Sequence, residues 1–517
     1  MPTPQTPVLP PPPSPPQGRS GEIVADDHRT FSDQVIDRLR RSPDAPNDAA
    51  ELLRWLNERD QSHPPGLSRY LFTMWRYRAD LNDAFPGVYL DPDARLRLQL
   101  WAHHFLASEA GAPPELVPPA PAGITDIAPP TRIGPEPPLD SGVVVVGYLR
   151  ATLGLGDAAR RLVRLTELAG ERVRSLPYDH TDSPLGITWP DPDPTDTDDL
   201  DIVILAINAS EAPQVRRALG PGTRGRYVIG LWFWELNEFP DSMAVGFDVV
   251  DEVWVTSEFT ADAVRRRAPA GVAVRVIPLG ADCPPIHARF RSASVRERFG
   301  ISHTGTVVGT MFDYASRIER KNPVGLIKAW KRAFPDADRT QQMLFCKTLN
   351  GSIARDQRAV VEAAVGERTD VTVFDAQLAP DDRDRLMDQF DIVASLHRSE
   401  GYGLTLLDAM YRGIPVIATR YSGNLAFMTD ENSWLVGHQM KQIRSNAGSY
   451  EAGGMWAEPD SDMASDILRQ LVSNPASEST MSRVLRAQRD VAPLIDGTAG
   501  AEFIRLRLAE LRARRAK

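Results

Sequence analysis

Apolar residues recur every three and four positions in three stretches near the start of the chain, which is the spacing of an amphipathic helix. These stretches are residues 31–60, 66–85 and 91–110. In the stretch 66–85, Leu67, Leu71 and Met74 fall on one helical face. In the stretch 31–60, Asn47 is the predicted N-cap of a helix. The pattern predicts a small all-α module over residues 26–112.

Later in the chain, short apolar runs alternate with helical stretches. One series of runs lies at residues 143–148, 201–208, 227–232 and 251–257, and a second at 304–313, 341–348, 370–377, 391–397 and 414–419. This alternation is typical of parallel sheets covered on both faces. The predicted fold class is α/β, with two Rossmann-like, doubly wound domains facing a cleft at the carboxyl ends of their strands.

Proline-rich segments and these changes of pattern set the predicted boundaries. Residues 1–25 are expected to be a disordered tail and residues 113–140 a semi-rigid linker. The folded parts are then the helical module, a first Rossmann-like domain over 141–285, a second over 286–495, and a C-terminal helix over 496–517. That last helix carries Phe503, Ile504, Leu508 and Leu511 together with five arginines and a lysine. It either packs on the first domain or touches an anionic membrane peripherally.

Composition and charge exclude several classes of protein. With 42% hydrophobic and 25% charged residues over 517 positions, the chain has the composition of an ordinary globular protein. A net charge of −10 argues against a nucleic-acid partner, because phosphate backbones need a clustered basic surface. Two cysteines, Cys283 and Cys346, are too few for a disulfide framework or a Cys-based zinc site, and a cytoplasmic location is expected. No apolar run reaches the ~18 residues of a membrane span.

A glycine-containing loop, GLGDAAR, follows the first strand of the first α/β domain. Gly154, Gly156 and Ala159 match G-x-G-x-x-A, in which glycine lets backbone N–H groups approach a phosphate. The loop before Gly154 is longer than the tight Rossmann turn, and no acid is placed to hold a ribose. The pattern therefore leaves a phosphate or acceptor site and a structural loop both open.

Trp232, Phe233 and Glu235 follow a strand, where aromatic residues beside an acid could form a sugar-stacking wall. Trp232 and Phe233 favour a core position at a strand end, and Glu235 is an open candidate. Asp179 beside His180 could supply a base, although an Asp-His turn is more often a surface hydrogen bond.

Three cations, Arg317, Arg320 and Lys321, precede the helix start Asn322-Pro323 in the second domain. A helix start alone explains Asn322 and Pro323, since Asn is a preferred N-cap and Pro a preferred first helical residue. It does not explain the three cations, which beside a helix N-terminus suit a diphosphate leaving group.

The stretch SEGYGLTLLDAM places acids on both sides of a glycine turn. The turn leads into a helix, so Gly403, Leu404 and Thr405 would present free N–H groups to a phosphate. Glu400 lies before the helix and Asp408 about one turn into it. Because carboxylates accept bidentate hydrogen bonds from sugar hydroxyls, both acids could border one ligand.

The stretch EGYGLTLLDAMYRGIPVIAT resembles the E-x7-E motif of the retaining glycosyltransferases of family 4, which have the GT-B fold of two Rossmann-like domains. RKNP upstream and GLGDAAR in the first domain accompany it in the expected order. The resemblance covers about residues 140–490 and not the helical module. It implies that the first α/β domain is the acceptor domain and the second the nucleotide-sugar domain.

The resemblance also implies residue roles. Glu400 matches the acid that contacts the donor sugar, the backbone of 403–405 the diphosphate seat, and Asp408 stands where the family usually has a ribose-binding glutamate. Gly154 and Gly156 match the loop that faces the donor phosphate and the acceptor.

Lys321 matches the lysine that neutralises the diphosphate. The arginine that accompanies it in the family is replaced here by Ser316, so that Arg317 or Arg320 would take its place.

The implied activity is that of a hexosyltransferase, moving a sugar from a nucleotide-sugar donor to the hydroxyl of a glycan or lipid-linked acceptor with retention of configuration, in glycan or glycolipid biosynthesis. In such enzymes the leaving phosphate oxygen helps to deprotonate the acceptor, so catalysis rests on positioning and on stabilising the diphosphate. No cofactor or metal is expected, since the nucleotide sugar is a substrate and the acidic stretch 191–201 has the pattern of a solvated loop.

Three other functions fit parts of the pattern. A nucleotide-sugar epimerase on the same fold would use the carboxylates as acid and base. An NAD-dependent enzyme is suggested by G-x-G-x-x-A, and a non-catalytic nucleotide-sugar-binding protein by the aspartate at position 408.

Overall fold

The computed structural model describes residues 30–40, 42, 45–59, 64, 66–88, 91–123, 139–179, 181, 183–190, 200–220, 225–280, 292–301, 305–336 and 338–515. The predicted tail, most of the predicted linker, the domain boundary near 285, His180 and Cys283 lie outside these residues. The described chain divides into two compact units, one holding the helices up to residue 123 together with 217–220, and the other holding both sheets.

The first unit is helical. Its helices are α1 (Phe31–Leu39), α2 (Ala49–Asn57), α3 (Arg69–Tyr77), α4 (Ala79–Ala84) and α5 (Pro92–Ala110). The predicted face lies in the core, since Leu71 and Met74 of α3 and Leu67 just before it are almost fully buried. The N-cap predicted for α2 is wrong by one residue, because Asp48 rather than Asn47 accepts from the N–H groups of the first turn.

The first sheet is parallel, with strand order β2-β1-β3-β4-β5-β6. Its strands are β1 (Asp140–Gly147), β2 (Val173–Pro177), β3 (Leu200–Ala206), β4 (Tyr227–Leu231), β5 (Glu252–Val255) and β6 (Ala273–Val276). The helices between them are α6 (Gly154–Leu168), α7 (Ala212–Leu219), α8 (Asp241–Ala244) and α9 (Glu258–Arg265). The valines of 143–146 are all buried, as expected for a central strand with helices on both faces.

The second sheet is also parallel, with strand order β12-β11-β10-β7-β8-β9. Its strands are β7 (Thr306–Asp313), β8 (Gln342–Leu349), β9 (Val371–Asp375), β10 (Ile392–Ser395), β11 (Val416–Thr419) and β12 (Trp434–Val436). Its helices are α10 (Ala293–Arg298), α11 (Ile318–Lys321), α12 (Pro323–Ala333), α13 (Arg355–Val365), α14 (Pro380–Met387), α15 (Leu404–Tyr411), α16 (Ser461–Ser473) and α17 (Glu478–Ile495). These two sheets confirm the predicted pair of Rossmann-like domains.

Strand order reverses between β1 and β3 in the first sheet and between β7 and β10 in the second. Ligands of open α/β sheets bind at such switch points, outside the carboxyl ends of the strands. The loops that follow β7 and β10 therefore lie at the edge of the second sheet where a ligand is expected to bind.

An antiparallel hairpin of β13 (His438–Gln442) and β14 (Met455–Pro459) follows β12. The apolar pattern did not predict it, because the side chains of β13 are mostly exposed and polar.

The last helix, α18 (Thr498–Arg515), packs on the first sheet's side of the unit, with Ile504 and Leu508 fully buried. The Arg507 guanidinium pairs with the buried Glu252 of β5, and Arg512 with Glu171 and Asp201. Helix α18 follows the second domain in sequence but packs on the first, so it links the two domains.

Candidate active site

A cavity of about 350 Å³ lies where the carboxyl ends of the strands of both sheets meet. Seven of the predicted site residues line it: Gly154, Arg320, Lys321, Glu400, Gly403, Leu404 and Thr405. Gly156, Arg317 and Asp408 do not. Residues separated by more than 200 positions in the sequence thus share one cavity.

The glycine turn after β10 forms one wall. Gly403 has φ of +98°, a left-handed conformation that a side chain would strain, and it lies directly before α15. The N–H groups of Leu404 and Thr405 meet no acceptor among the described residues, as expected in the first turn of a helix. The Ser257 hydroxyl of the first domain donates to the Gly401 carbonyl oxygen at 3.0 Å and holds the turn in place. The turn therefore presents two free donors to the cavity.

Glu400 is a buried carboxylate between two cations. Lys321 Nζ lies 2.5 Å from Oε1 and Arg320 Nη1 lies 3.4 Å from Oε2. Burial alone would raise the pKa of Glu400, but the two cations outweigh it and lower the pKa to about 2. The carboxylate is therefore ionised at any physiological pH.

Arg320 is buried and reaches several polar groups. Nη1 donates to the Ser399 carbonyl oxygen at 3.0 Å, and Nη2 lies 3.8 Å from Oε1 of Glu235. Its Nε is buried without a hydrogen-bond partner among the described residues. Although burial lowers its pKa, the neighbouring Tyr450, Glu235 and Glu400 raise it overall, so the guanidinium stays charged.

The structure separates the two cations proposed to replace the family's arginine. Arg320 lines the cavity, whereas the Arg317 side chain lies against Gly448. Ser316, which occupies the position of the family's arginine, lines the cavity as well.

The two glycines of the first-domain loop also differ. A Cβ at Gly156 would lie 2.6 Å from the carbonyl oxygens of both Ala151 and Tyr148, so this glycine permits close packing. A Cβ at Gly154 would meet nothing within 4 Å, and this residue borders the cavity at the start of α6. Gly154 is thus the glycine of the pair that faces the cavity.

Asp408 lies on the buried side of α15. Both of its carboxylate oxygens accept from Arg161 Nη2 of α6 at 2.9 Å, and Arg161 also reaches Asp157. Burial raises the pKa of Asp408, and Arg161 opposes the rise. The ribose contact of Asp408 stays a prediction, and in this structure the carboxylate joins helices of the two domains.

Three further cavity residues bear on the site: Asp313 and Tyr450, which were not predicted, and Glu235, which was an open candidate. Asp313, at the end of β7, accepts from the N–H of Ala315 and from the Asn350 amide, both at 2.8 Å. Glu235 follows β4, and Tyr450 comes from the loop of the hairpin. Strand-end position was a usable signal for the two acids, whereas nothing in the local sequence marked Tyr450.

The other candidates are placed as follows. Trp232 is buried and stacked on Phe239, as predicted, whereas Phe233 is half-buried and lines the cavity. Asp179 pairs with Arg150 at 3.0 Å.

Over the ranges that the structure describes, no group of three or more His, Cys, Asp or Glu residues is arranged to hold a metal ion. None of the helices in those ranges combines the length and the apolarity needed to cross a bilayer.

Known proteins resemble this chain in part of its sequence and in its fold. The model of a family described as family 4 glycosyltransferases in conflict systems matches residues 315–488. No curated protein matches the chain in sequence.

Among solved structures, a glycosyltransferase from Rickettsia africae ESF-5 is 12% identical, with 72% of this chain and 98% of that one covered and a TM-score of 0.52. A sucrose-phosphate synthase from Thermosynechococcus elongatus is 15% identical, with 72% and 99% covered and a TM-score of 0.51. The pneumococcal O-GlcNAc transferase GtfA is 15% identical over 60% of this chain, which spans only 56% of that protein, and its TM-score of 0.40 is too low to bear on the fold. Residues 315–488 therefore match the model of family 4 glycosyltransferases, within a chain that has the two Rossmann-like domains of the GT-B fold.

Proposed function

We propose that the protein is a retaining hexosyltransferase that moves a sugar from a nucleotide-sugar donor to an acceptor hydroxyl. The observation that carries the proposal is the position of the Glu400 carboxylate, paired with Arg320 and Lys321 in a cavity that also receives the free N–H groups of α15. Cations and helix N–H groups on one side, and a carboxylate beside them, suit a ligand with a diphosphate at one end and hydroxyls at the other.

The diphosphate would lie against Lys321, Arg320 and the N–H groups of Leu404 and Thr405. These groups are held in place before reaction, by burial and by the first turn of α15, so they stabilise the charge that develops on the leaving oxygen at little reorganisation cost. Glu400, already ionised, would accept hydrogen bonds from hydroxyls of the donor sugar.

In the transfer step the bond between the anomeric carbon and the diphosphate oxygen breaks with its electron pair on that oxygen. The acceptor oxygen bonds to the same carbon from the same face, and its proton passes to the leaving diphosphate. This route conserves configuration and requires no protein nucleophile. The first-domain loop at Gly154 borders the cavity and is the proposed approach for the acceptor.

The acceptor class is proposed as a glycan or lipid-linked hydroxyl, handled in the cytoplasm or at the inner face of a membrane. The basic end of α18, with Arg514 and Arg515 exposed, supports a peripheral contact with anionic lipid.

The test is a panel of UDP-glucose, UDP-N-acetylglucosamine, UDP-galactose and GDP-mannose, measured for thermal stabilisation and for release of the nucleoside diphosphate. We expect at least one donor to raise Tm and to be hydrolysed or transferred slowly. A chain that responds to none of them, with sugar-free UDP and GDP also without effect, contradicts the proposal. Conversion of one nucleotide sugar into another without acceptor would favour an epimerase instead.

A further inference from the structure

The hairpin that follows β12 brings a tyrosine into the cavity. The loop between β13 and β14 carries Tyr450, which is only 5% exposed and lines the cavity. Its ring lies 5.6 Å from that of Trp234 in the first domain, and the Arg320 guanidinium lies 5.8 Å from the ring centre. An element of the second domain thus completes a wall that belongs to both domains.

Tyr450 is hydrogen-bonded to the one first-domain acid that lines the cavity within the described residues. Its hydroxyl donates to Oε2 of Glu235 at 3.0 Å. The Glu235 main chain is held as well, because the Ser399 hydroxyl donates to its carbonyl oxygen. The Glu235 carboxylate is therefore fixed in direction by contacts from the other domain.

Glu235 retains capacity to accept. An ionised carboxylate offers about four acceptor sites, and the described residues supply the Glu235 carboxylate with a single hydrogen bond, from Tyr450. Oε1 has only the ion-pair contact with Arg320 at 3.8 Å, which is beyond hydrogen-bond length. Glu400, in contrast, has Lys321 on one oxygen and Arg320 on the other.

The two carboxylates share Arg320 as a neighbour and therefore lie close to each other. Both contact the Arg320 guanidinium, and the Cγ of Glu235 lies 3.7 Å from the Cβ position of Gly401, the residue after Glu400. A sugar ring placed against Glu400 is within reach of Glu235.

We propose that Glu235, oriented by Tyr450, accepts a hydrogen bond from a hydroxyl of the transferred sugar and so helps to select the donor. Glu235 is then a specificity-determining residue and Tyr450 a positioning residue that acts through it. This inference rests on the proposed function, since it assumes a nucleotide-sugar donor in this cavity.

The experiment compares Tyr450→Phe, Glu235→Gln and the double variant with the parent chain. For the preferred donor of the panel we expect each single variant to lower kcat/KM about 10-fold, mainly through KM, because a hydrogen bond to a charged acceptor is lost or misdirected. Binding of the matching UDP or GDP should change less than about 2-fold. The double variant should be no worse than Glu235→Gln, because Tyr450 acts through the acid.

The matched control is Tyr421→Phe. Tyr421, in the second domain like Tyr450, packs on Phe259 of the first domain and on His438 of β13, and it does not line the cavity, so its hydroxyl should be dispensable. Analogues of the preferred donor that lack one hydroxyl give an independent readout. With the parent chain, kcat/KM for one of these analogues should be about 10-fold lower than for the full donor. With Glu235→Gln, the same analogue and the full donor should have nearly equal kcat/KM, because the acceptor of that hydroxyl is already lost.

Several results would overturn the inference. Equal weakening of nucleotide-sugar and sugar-free nucleotide binding indicates that the pair only fastens the hairpin. Additive losses in the double variant, or a change in the acceptor KM alone, remove the role in donor recognition. Active variants with parental donor preference sink this inference while leaving the proposed function intact, whereas a parent chain that responds to no nucleotide sugar or nucleotide overturns both.

Discussion

The Glu400 side chain combines burial with a full charge, and its two cations make this combination stable. Removing one partner of a buried ion pair leaves the other uncompensated, which costs more than the pair itself contributes. Arg320 and Lys321 without Glu400 would form a buried cationic pair. Under the proposed function, a nucleoside diphosphate would then supply the missing negative charge.

We therefore predict that Glu400→Gln lowers kcat/KM roughly 10- to 100-fold, because a charged acceptor of sugar hydroxyls becomes neutral. Binding of UDP or GDP should be retained or tightened. Steady-state kinetics and calorimetric titration measure the two effects. The matched control is Glu319→Gln, which changes an exposed acid next to Arg320 in the sequence. Parental turnover in Glu400→Gln would remove the sugar contact.

At the scale of elements, helices α6 and α15 are joined through charge. Arg161 is 1% exposed and donates to both oxygens of Asp408, although the two residues are 247 positions apart. The same aspartate is the predicted ribose contact, so the two roles compete for one carboxylate.

Two variants separate these roles. Asp408→Asn and Arg161→Met should each lower the free energy of unfolding by about 3 kcal/mol, because each removes one member of the buried Arg161–Asp408 ion pair. The double variant should cost much less than the sum. If Asp408 also binds ribose, Asp408→Asn weakens nucleotide-sugar binding more than Arg161→Met does. If both variants change ligand affinity equally, Asp408 has no ribose contact and serves only to pair with Arg161 between α6 and α15. Urea unfolding and ligand titration supply both measurements.

At the scale of the whole second unit, contacts between the two sheets gather around the cavity. Ser257 holds Gly401, Tyr450 holds Glu235, and α18 returns to the first sheet through Arg507 and its buried partner in β5. Two of these contacts, at Gly401 and at Glu235, join the domains and also position residues that line the cavity.

The free energy of unfolding of this unit should fall as the pH becomes mildly acidic. His397 follows β10, is fully buried, and has its ring nitrogens 3.1 Å from Ser395 Oγ and 3.2 Å from Asn424 Oδ1. Burial lowers its pKa from 6.5 to about 4. Between these two pKa values, His397 is protonated in the unfolded chain but stays neutral in the folded chain. The free energy of unfolding should then fall by about 1.4 kcal/mol per pH unit.

Urea midpoints measured between pH 7 and pH 5 test this dependence. The window lies above pH 4.5, where the contribution of Glu400 would begin to be lost. His397→Asn should flatten the slope, whereas His104→Asn, at an exposed position of the helical unit, should leave it unchanged. A parental slope in His397→Asn would assign the dependence to other groups.

Local pattern predicted most of the architecture because it reports burial. Continuous valine runs and helical spacing exist only where side chains must face a core, so β1 and the helices of both units could be recognised. The hairpin β13–β14 lacked that signal, since its exposed side chains contribute no apolar alternation. The N-cap of α2 was misplaced because Asn47 and Asp48 are both good caps and only the backbone conformation distinguishes them.

The chain by itself determined the α/β class, the tandem sheets, and the acids, cations and glycines at strand ends, because each depends on residues close in sequence. Tertiary structure alone decided which of them meet. It placed Arg320 rather than Arg317 at the cavity, turned Asp408 toward Arg161, and brought Tyr450 to Glu235 from 215 positions away. Pairings of this kind arise from how two sheets and an inserted hairpin pack together, and no local spacing encodes that distance.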